Sequence, residues 1–273
     1  MKIGVLGCAG RMGRAVLAEI LAIDGGTVIG GTETTGHLEL GQDLGVLAGR
    51  GPIDLVADDD AAGLIQRADV VIEFSSPEAT VAHAAAAAAH GTAHVIGTTG
   101  LSDRQRDAIA AAGRRTPIVC AANMSLGVNL LLGLTEQVAR ALGPEAFDIE
   151  IVEIHHKHKV DAPSGTALAL GEAAARGRDV ALTDVADRGR DGLTGARTAG
   201  AIGFAALRGG DVVGDHSVVF AGMGERLELS HKATDRRIYA KGAVHAARWA
   251  AAQAPGLYGM ADVLGLSLGV LDR

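Results

Sequence analysis

The sequence predicts an α/β protein in which a doubly wound parallel sheet precedes a second, α+β domain with a mixed, mostly antiparallel sheet. Three observations predict this order. Strand-like and helix-like segments alternate through residues 1–125, a glycine-rich turn follows the first strand, and longer strands of alternating polarity occur within residues 126–234. A chain of 273 residues is long enough for these two domains.

The alternation in the first half comes from short β-rich runs and from segments with helical signals. GRAVLAEILA (13–22) places its apolar residues on one helical stripe, and SDRQRDAIAAAG (102–113) opens with Ser102 and Gln105 in capping-box spacing. PEATVAHAAAAAAHG (77–91) is rich in helix formers and ends in glycine. The β-rich runs are KIGVLG (2–7), TVIGG (27–31), VVIEF (70–74), AHVIGTT (93–99) and PIVCAAN (117–123).

The second half follows a different pattern. FDIEIVEIHH (147–156) alternates as a half-buried strand does, and residues 200–233 contain three more strand-like runs. We predict hairpin turns at the two connections between those runs, RGGD (208–211) and MGE (223–225). Residues 177–199 lack periodicity and predict a long loop. Helical patterns occupy GVNLLLGLTEQVARAL (127–142), SGTALALGEAAA (164–175) and TDRRIYAKGAVHAARWAAAQ (234–253).

The composition bears on the kind of partner. The formal net charge is −7, from 32 acidic and 25 basic residues, and the aromatic residues are one Trp, two Tyr and four Phe. Nucleic-acid binding normally requires a basic surface and stacking side chains. We therefore expect a small-molecule partner and no nucleic acid.

Cysteine usage and hydropathy bear on the compartment. Cys8 and Cys120 are the only cysteines and lie far apart, so we expect no disulfide framework and a reducing compartment, the cytoplasm. The N-terminal MKIGVLGCAG runs directly into a strand and a turn, so we expect no secretory signal. Because no apolar run in the sequence has the length that crosses a bilayer, we expect no membrane partner.

GCAGRMG (7–13) lies between the first strand and the first helix, where backbone N–H groups and the helix dipole can bind a pyrophosphate. Its spacing departs from the common G-x-G-x-x-G, because Ala9 stands where the middle glycine is expected. Glu33 follows at about the interval at which an acidic residue ends a second strand and binds the adenosine ribose. This combination predicts a Rossmann-like dinucleotide site rather than a plain glycine turn.

The same glutamate bears on which dinucleotide is bound. A carboxylate beside a 2′-phosphate costs up to about 4 kcal/mol at ~4 Å and an effective dielectric of ~20, unless a cation intervenes. Thr34 and Thr35 supply no cation, and Arg11 in the turn is the residue that could reach over. We therefore predict that NADH is favoured over NADPH.

HHKHK (155–159) concentrates basic side chains in an acidic chain, and three interpretations compete for it. The first is a solvated basic patch. The second is a metal site, but on a strand His156 and His158 would share one face while His155 would point to the other, and no Cys or Glu follows at ligand spacing. We therefore predict no metal. The third is a catalytic site that binds an anion.

The residues that follow, DAPSGTALALG (161–171), favour the third interpretation. A proline-containing turn leads through Ser164 and Gly165 into a helix, whose first N–H groups favour an anion by roughly 0.3–1 kcal/mol. Cationic side chains and this helix N-terminus could together bind a small substrate with two carboxylates. Reduction of a conjugated imine by hydride generates negative charge, and histidine or lysine could supply the proton that neutralises it.

Six motifs occur in order along the chain: GCAGRMG, VVIEFSSPEAT, VIGTTG, AANMSLGVN, EIHHKHKVDAPSGTA and GERLELSHKA. Together they resemble the 4-hydroxy-tetrahydrodipicolinate reductase (dihydrodipicolinate reductase) family of the diaminopimelate route to lysine. The resemblance spans nearly the whole chain, and EIHHKHKVDAPSGTA is the most specific match. It implies reduction of 4-hydroxy-tetrahydrodipicolinate to tetrahydrodipicolinate by NADH or NADPH, with net release of water.

The resemblance also implies roles for residues of the basic motif. His155 would donate or accept a proton, and Lys159 would donate the proton. Contacts to the substrate would come from His156, Gly165 and Thr166.

Other implications of the resemblance concern the cofactor and the assembly. Residues 235–273 would complete the dinucleotide domain, and the sheet of the domain at 126–234 would build a homotetramer. Arg236 and Tyr239 resemble positions that approach the cofactor. The cofactor would be bound by Gly7, Cys8, Ala9, Gly10, Arg11, Met12 and Glu33. The residues beside its nicotinamide would be Gly97, Thr98, Thr99, Ala121, Ala122, Asn123 and Met124.

One departure from the family and two other functions stay open. Relatives that favour NADPH often carry a basic residue after the ribose acid, where this chain has Thr34. A semialdehyde dehydrogenase would need a nucleophilic cysteine, for which Cys120 is the candidate. A non-catalytic dinucleotide sensor would bind a partner through the basic patch, but it would not explain the helix N-terminus that follows.

Overall fold

The computed structural model describes residues 1–266, which form two compact units. Unit 1 comprises Met1–Leu126 and Arg237–Gly265. Unit 2 comprises Gly127–Arg236 and, at the end of the described chain, Leu266. No helix within residues 1–266 is long and apolar enough to span a membrane.

Strands and helices alternate through the first half of the chain, as predicted. Local sequence signals are confirmed: Ser102 and Gln105 form a capping box, and the helix that begins at Pro77 ends at Gly91 in the left-handed conformation. The elements are β1 (Lys2–Leu6), α1 (Arg11–Ile20), β2 (Thr27–Thr32), α2 (Leu44–Leu47), β3 (Ala57–Asp58), α3 (Ala61–Arg67), β4 (Val70–Glu73), α4 (Pro77–His90), β5 (Ala93–Ile96), α5 (Asp103–Gly113) and β6 (Pro117–Cys120).

The second half begins with a long helix and then builds a second sheet. Its elements are α6 (Leu126–Ala141), β7 (Phe147–His155), α7 (Gly165–Gly177), α8 (Leu182–Val185), β8 (Ala186–Asp187), β9 (Ile202–Arg208), β10 (Gly214–Gly222) and β11 (Glu225–Ala233). The chain then returns to unit 1 with α9 (Arg237–Ala250), β12 (Gly256–Tyr258) and α10 (Met260–Val263). Residues 267–273, which belong to the predicted C-terminal segment, lie outside the described residues.

Unit 1 has one sheet of order β12-β6-β5-β4-β1-β2-β3, and all of its ladders are parallel. From β1 the chain moves outward to β2 and β3, and it then resumes at β4 on the other side of β1. This reversal confirms the doubly wound, Rossmann-like fold. It opens a crevice at the carboxyl ends of β1 and β4, where such sheets bind ligands.

Unit 2 has a mixed sheet of order β11-β10-β7-β9-β8. Its two longest ladders, β7 with β10 and β10 with β11, are antiparallel, whereas β7 with β9 and β8 with β9 are parallel. The predicted hairpin at MGE is confirmed, because β10 and β11 pair directly across Met223 and Gly224. The predicted hairpin at RGGD is wrong: β7 lies between β9 and β10, so residues 209–213 cross the end of β7.

The predicted loop at 177–199 is wrong in part. Residues 182–187 form the short helix α8 and the edge strand β8. Leu182 is buried, and its side chain lies against Gly171 of α7, so local burial orders a segment that has no periodic signal. Residues 188–199 are irregular, as predicted.

Each unit has its own apolar core. In unit 1, α1 and α9 pack on the sheet, and the stripe predicted for α1 is buried through Val16, Leu17 and Ile20. In unit 2, the inward residues Ile149 and Ile151 of β7 pack with helix α7 and with the neighbouring strands. The alternation of β7 places Glu153 and His155 on the same buried face, beyond these two isoleucines.

Candidate active site

The glycine turn after β1 packs so closely against neighbouring backbone that two of its positions require glycine. Gly7 has a φ of 78°, and a Cβ there would lie 2.4 Å from the carbonyl oxygen of Phe74. A Cβ on Gly13 would lie 2.0 Å from the carbonyl oxygen of Gly7. The N-cap of α1 is Gly10, which provides no side-chain hydrogen bond to the first amides of the helix. These features fit the pyrophosphate of a dinucleotide.

Glu33 lies next to this turn, one residue after β2. Its carboxylate accepts a hydrogen bond from the backbone N–H of Ala9 at 2.8 Å. Arg14 anchors the turn from the other side, because its Nε donates to the carbonyl of Ala9 at 2.7 Å and its guanidinium pairs with Glu39 at 2.7 Å. The ribose acid and the phosphate turn predicted from the sequence are therefore adjacent.

The other predicted cofactor residues follow β5 and β6 in unit 1. Gly97 and Ala121 continue these strands, since the Gly97 N–H donates to the carbonyl of Glu73 and the Ala121 N–H to that of Ile96. Thr99 and Ala122 are exposed, as are Gly10 and Arg11 of the turn. Cys8, Thr98 and Met124 are buried.

In unit 2, the end of β7 carries a buried network around Glu153. The carboxylate accepts a hydrogen bond from His155 Nδ1 at 2.6 Å and two from the guanidinium of Arg208 at 2.7 and 2.9 Å. It also accepts the backbone N–H of Ser164 at 3.1 Å. Burial raises the pKa of Glu153, but these hydrogen bonds outweigh burial and hold the pKa below its ordinary value. Glu153 is therefore ionised, and His155 keeps Nε2 for proton exchange.

Ser164 joins this network to the start of α7. It is the N-cap of the helix, and its Oγ accepts the N–H of Ala167 at 3.1 Å and lies 2.9 Å from His216 Nε2. Burial, together with the nearby His155, lowers the pKa of His216 to about 4. His216 is therefore neutral near pH 7, and its ring packs edge-on against that of His155 at 5.0 Å.

The loop between β7 and α7 bears the remaining predicted substrate residues. Lys159 pairs with Asp161 at 2.9 Å, and Arg208 donates to the carbonyl of Asp161 at 2.6 Å. The strand geometry predicted for His156 and His158 is wrong, because β7 ends at His155 and residues 156–159 form a turn. Their rings nevertheless lie near each other, with centroids 6.3 Å apart.

A pocket of about 620 Å³, which we call the basic pocket, opens beside this turn in unit 2. His156 lines it, whereas His155, Lys159, Gly165 and Thr166 are not part of its lining. His155 is buried behind the turn, and Gly165 and Thr166 begin α7. The lining consists of His156, Lys157, His158, Gly210, Asp211, Val213 and Arg236.

Glu153, Arg208 and His216 also belong to this network, although none of them was predicted from the sequence. Glu153 gave a usable signal, since it is a charged residue at an inward position of an alternating strand, two residues before His155. Arg208 and His216 gave no local signal. They lie 55 residues from Glu153 and 52 residues from Ser164, and the fold brings them together.

Neither cysteine has the properties of a catalytic nucleophile. Burial raises the pKa of Cys120, and it raises the pKa of Cys8 to about 12. The thiolate is the reactive form of cysteine, so both side chains are protonated and unreactive near neutral pH. This argues against the semialdehyde dehydrogenase interpretation.

We expect Cys120→Ser to keep kcat and KM within about twofold of the wild type, because the thiol takes no part in the chemistry. Steady-state kinetics on the two purified proteins tests this. A loss of turnover of 100-fold or more at an unchanged melting temperature would instead identify Cys120 as a nucleophile.

Family models match both parts of the chain. The model described as dihydrodipicolinate reductase, N-terminus, matches residues 1–124, and the model described as dihydrodipicolinate reductase, C-terminus, matches residues 127–264. Among solved structures, dipicolinate-bound dihydrodipicolinate reductase from Paenisporosarcina sp. TG-14 has a TM-score of 0.76 at 23% identity, covering 95% of this chain and 97% of that one. At that identity the structure supports the fold alone.

Curated relatives are more similar in sequence. The chain is 58% identical over 267 residues to 4-hydroxy-tetrahydrodipicolinate reductase of Parvibaculum lavamentivorans, covering 97% of this chain and 98% of that protein. It is 54% identical to the enzyme of the same name from Brucella abortus, covering 98% of this chain and 100% of that protein. With more than half of its residues shared over nearly the full length, and with both parts matched by family models, the chain belongs to the dihydrodipicolinate reductase family.

Proposed function

We propose that this chain catalyses the NAD(P)H-dependent reduction of 4-hydroxy-tetrahydrodipicolinate to tetrahydrodipicolinate, with release of water, in the diaminopimelate route of lysine biosynthesis. The names of its close relatives support this activity. The structural observation that carries the proposal is the buried, ionised Glu153, which holds His155 by Nδ1 next to the loop that bears Lys159. The site thus contains proton donors beside a cationic pocket.

Unit 1 is the proposed dinucleotide domain, and its residues fit a nicotinamide nucleotide. The glycine turn admits a pyrophosphate, and Glu33 is placed for the ribose hydroxyls. The bound cofactor supplies the hydride. We assign the binding of the cofactor to Gly7, Cys8, Ala9, Gly10, Arg11, Met12, Glu33, Gly97, Thr98, Thr99, Ala121, Ala122, Asn123 and Met124.

Unit 2 is the proposed substrate domain. In the basic pocket, His156, Lys157 and Arg236 provide cationic or hydrogen-bonding groups for the carboxylates of a flat dicarboxylate heterocycle. We assign further substrate contacts to Gly165 and Thr166, at the N-terminus of α7. Lys159 is the proposed proton donor, and His155 donates or accepts a proton through Nε2.

The assembly and location are part of the same proposal. Strand β11 lies at the edge of its sheet and exposes most of its side chains, including Leu227 at 41%. A long exposed edge strand is a surface that favours association, and we assign it to the interface of a homotetramer. The free thiols of Cys8 and Cys120 favour a reducing compartment, and we propose the cytoplasm.

The activity and the cofactor preference can be tested in one assay. Purified protein is mixed with NADH or NADPH and with the freshly made condensation product of aspartate semialdehyde and pyruvate. We expect loss of absorbance at the nicotinamide band, with a lower KM for NADH. The reason is that Thr34 and Thr35 place no cation beside Glu33, while Arg14 is already paired with Glu39.

Two outcomes of this assay would contradict the proposal separately. No loss of absorbance with either cofactor would refute the reductase and favour a dinucleotide sensor. A much lower KM for NADPH would refute the cofactor preference and leave the reductase intact. Omission of the condensation product is the control.

A further inference from the structure

A second buried carboxylate, which has no role among the residues assigned above, lies in unit 1. Glu73 is the last residue of β4, and its side chain is fully buried. Its Oε1 lies 2.7 Å from His83 Nδ1, and its Oε2 lies 2.7 Å from His94 Nε2. The hydroxyls of Ser75 and Thr80 also donate to Oε1.

Glu73 is ionised in this environment. Burial raises its pKa, but the hydrogen bonds from His83 and His94 outweigh burial and hold the pKa well below its ordinary value. His94 has no other side-chain partner among residues 1–266, because its Nδ1 is buried without a hydrogen bond. A buried carboxylate lowers the stability of the fold unless both of its oxygens accept hydrogen bonds. An apolar residue would fill the same space in a parallel sheet without that cost, so a purely structural reason for the carboxylate is weak.

The hydrogen bonds of Glu73 lead to the loop after β5. Thr80 Oγ1 lies 3.2 Å from Glu73 Oε1 and 3.0 Å from Thr98 Oγ1. Thr98 Oγ1 accepts the backbone N–H of Ser75 at 3.1 Å, and it shares the Thr80 hydroxyl with Glu73 and with the carbonyl of Ser76, which lies 2.9 Å from Thr80 Oγ1. The carboxylate thus sits at the end of a chain of hydroxyls that begins at Thr98.

The backbone of Glu73 holds the same loop. Its carbonyl accepts the N–H of Gly97 at 2.9 Å, so that Glu73 contacts the loop through both its backbone and its side chain. Thr98 is buried, and the next residue, Thr99, is exposed. The position of the loop at 97–99, which becomes exposed at Thr99, therefore depends on what holds the Thr98 side chain.

We propose that Glu73 is a positioning residue of the nucleotide site: acting through Thr80, it fixes the Thr98 hydroxyl and the loop at 97–99, and so sets the affinity for the nicotinamide end of the cofactor. This inference rests on the proposed function, in which Gly97, Thr98 and Thr99 bind the cofactor. Glu73 itself touches neither cofactor nor substrate. Its effect is confined to the part of the nucleotide that this loop contacts.

The test compares two ligands on the full-length protein. Dissociation constants are measured by calorimetry for NADH and for ADP-ribose, which lacks the nicotinamide. We expect Glu73→Met, which keeps the length of the side chain but removes its acceptors, to weaken NADH roughly tenfold and ADP-ribose less than twofold. Thr80→Val should reproduce this pattern, and Thr80→Ser, which keeps the hydroxyl, should bind both ligands like the wild type.

Glu78→Met is the matched control, because Glu78 is an exposed glutamate in the first turn of α4. Unchanged NADH affinity in both Glu73→Met and Thr80→Val would overturn the inference, as would an equal loss of NADH and ADP-ribose, which indicates general damage to the fold. If Glu73→Met fails to fold, Thr80→Val with its Thr80→Ser rescue decides the question. Failure of the wild type to bind NADH would overturn the cofactor assignment itself, a result distinct from these.

Discussion

Replacing Lys159 by alanine is expected to lower kcat by roughly 10²–10⁴, the usual contribution of a positioned general acid, while the Kd for NADH changes less than twofold. Lys159 lies on the loop between β7 and α7 in unit 2, whereas the residues assigned to the cofactor lie in unit 1. As the proposed proton donor, the lysine would act on the charge that develops on the substrate and not on the nucleotide. Steady-state kinetics together with calorimetric NADH binding measures both quantities.

Lys157→Ala is the matched control for this prediction. Lys157 is an exposed lysine that lines the basic pocket, so its removal weakens substrate binding and raises KM more than it lowers kcat. Equal losses of turnover and NADH affinity in Lys159→Ala would mean that the lysine is structural. A KM effect alone would mean that it binds a carboxylate and that the proton comes from another group.

The second large effect is expected for Glu153→Gln. In either orientation the amide NH₂ of the glutamine would face a donor of Arg208, because the guanidinium contacts both carboxylate oxygens. Where the amide NH₂ faces His155, it donates to Nδ1, and the neutral imidazole then carries its proton on Nε2. We expect roughly a 100-fold or greater loss of kcat, together with about 3–5 kcal/mol lower stability, the usual effect of breaking a buried ion pair.

The contribution of Glu153 to stability has a defined pH dependence. Because its folded pKa lies below the unfolded value, the contribution is present above pH ~4.5 and is lost as the pH falls through the folded pKa. Thermal melts of wild type and Glu153→Gln should therefore differ most near neutral pH and converge in acid. Glu150→Gln is the control, because Glu150 lies on the opposite face of β7 and pairs with Arg190 and Arg197. If Glu153→Gln had the same kcat and melting temperature as the wild type, the proposed role of the Glu153 network would be wrong.

The features that the sequence predicts correctly are local ones. The capping box at Ser102, the glycine end of α4 and the alternation of β7 each depend on residues within one turn or one strand of each other. The glycine turn and Glu33 are also recognisable, because the interval between them reflects one strand-helix-strand unit.

The features that the sequence predicts incorrectly depend on distant pairing. RGGD resembles a hairpin turn by composition, but β9 pairs with β7, a strand far earlier in the chain, and this choice is not encoded in the four turn residues. Arg208 lies at the end of that same strand. Once β9 is placed parallel to β7, Arg208 stands opposite His155 and reaches Glu153, which no spacing along the chain indicates.

On one face, strand β7 carries two residues of the apolar core, Ile149 and Ile151, followed by Glu153 and the proposed proton-transfer residue His155. Gain or loss of a single residue within it would turn the imidazole to the far side of the sheet and drive acidic neighbours such as Glu150 into the hydrocarbon interior. Folding and catalysis would then fail together. Insertions and deletions should therefore be tolerated better in segments whose side chains do not alternate between two faces, such as the irregular stretch at 188–201.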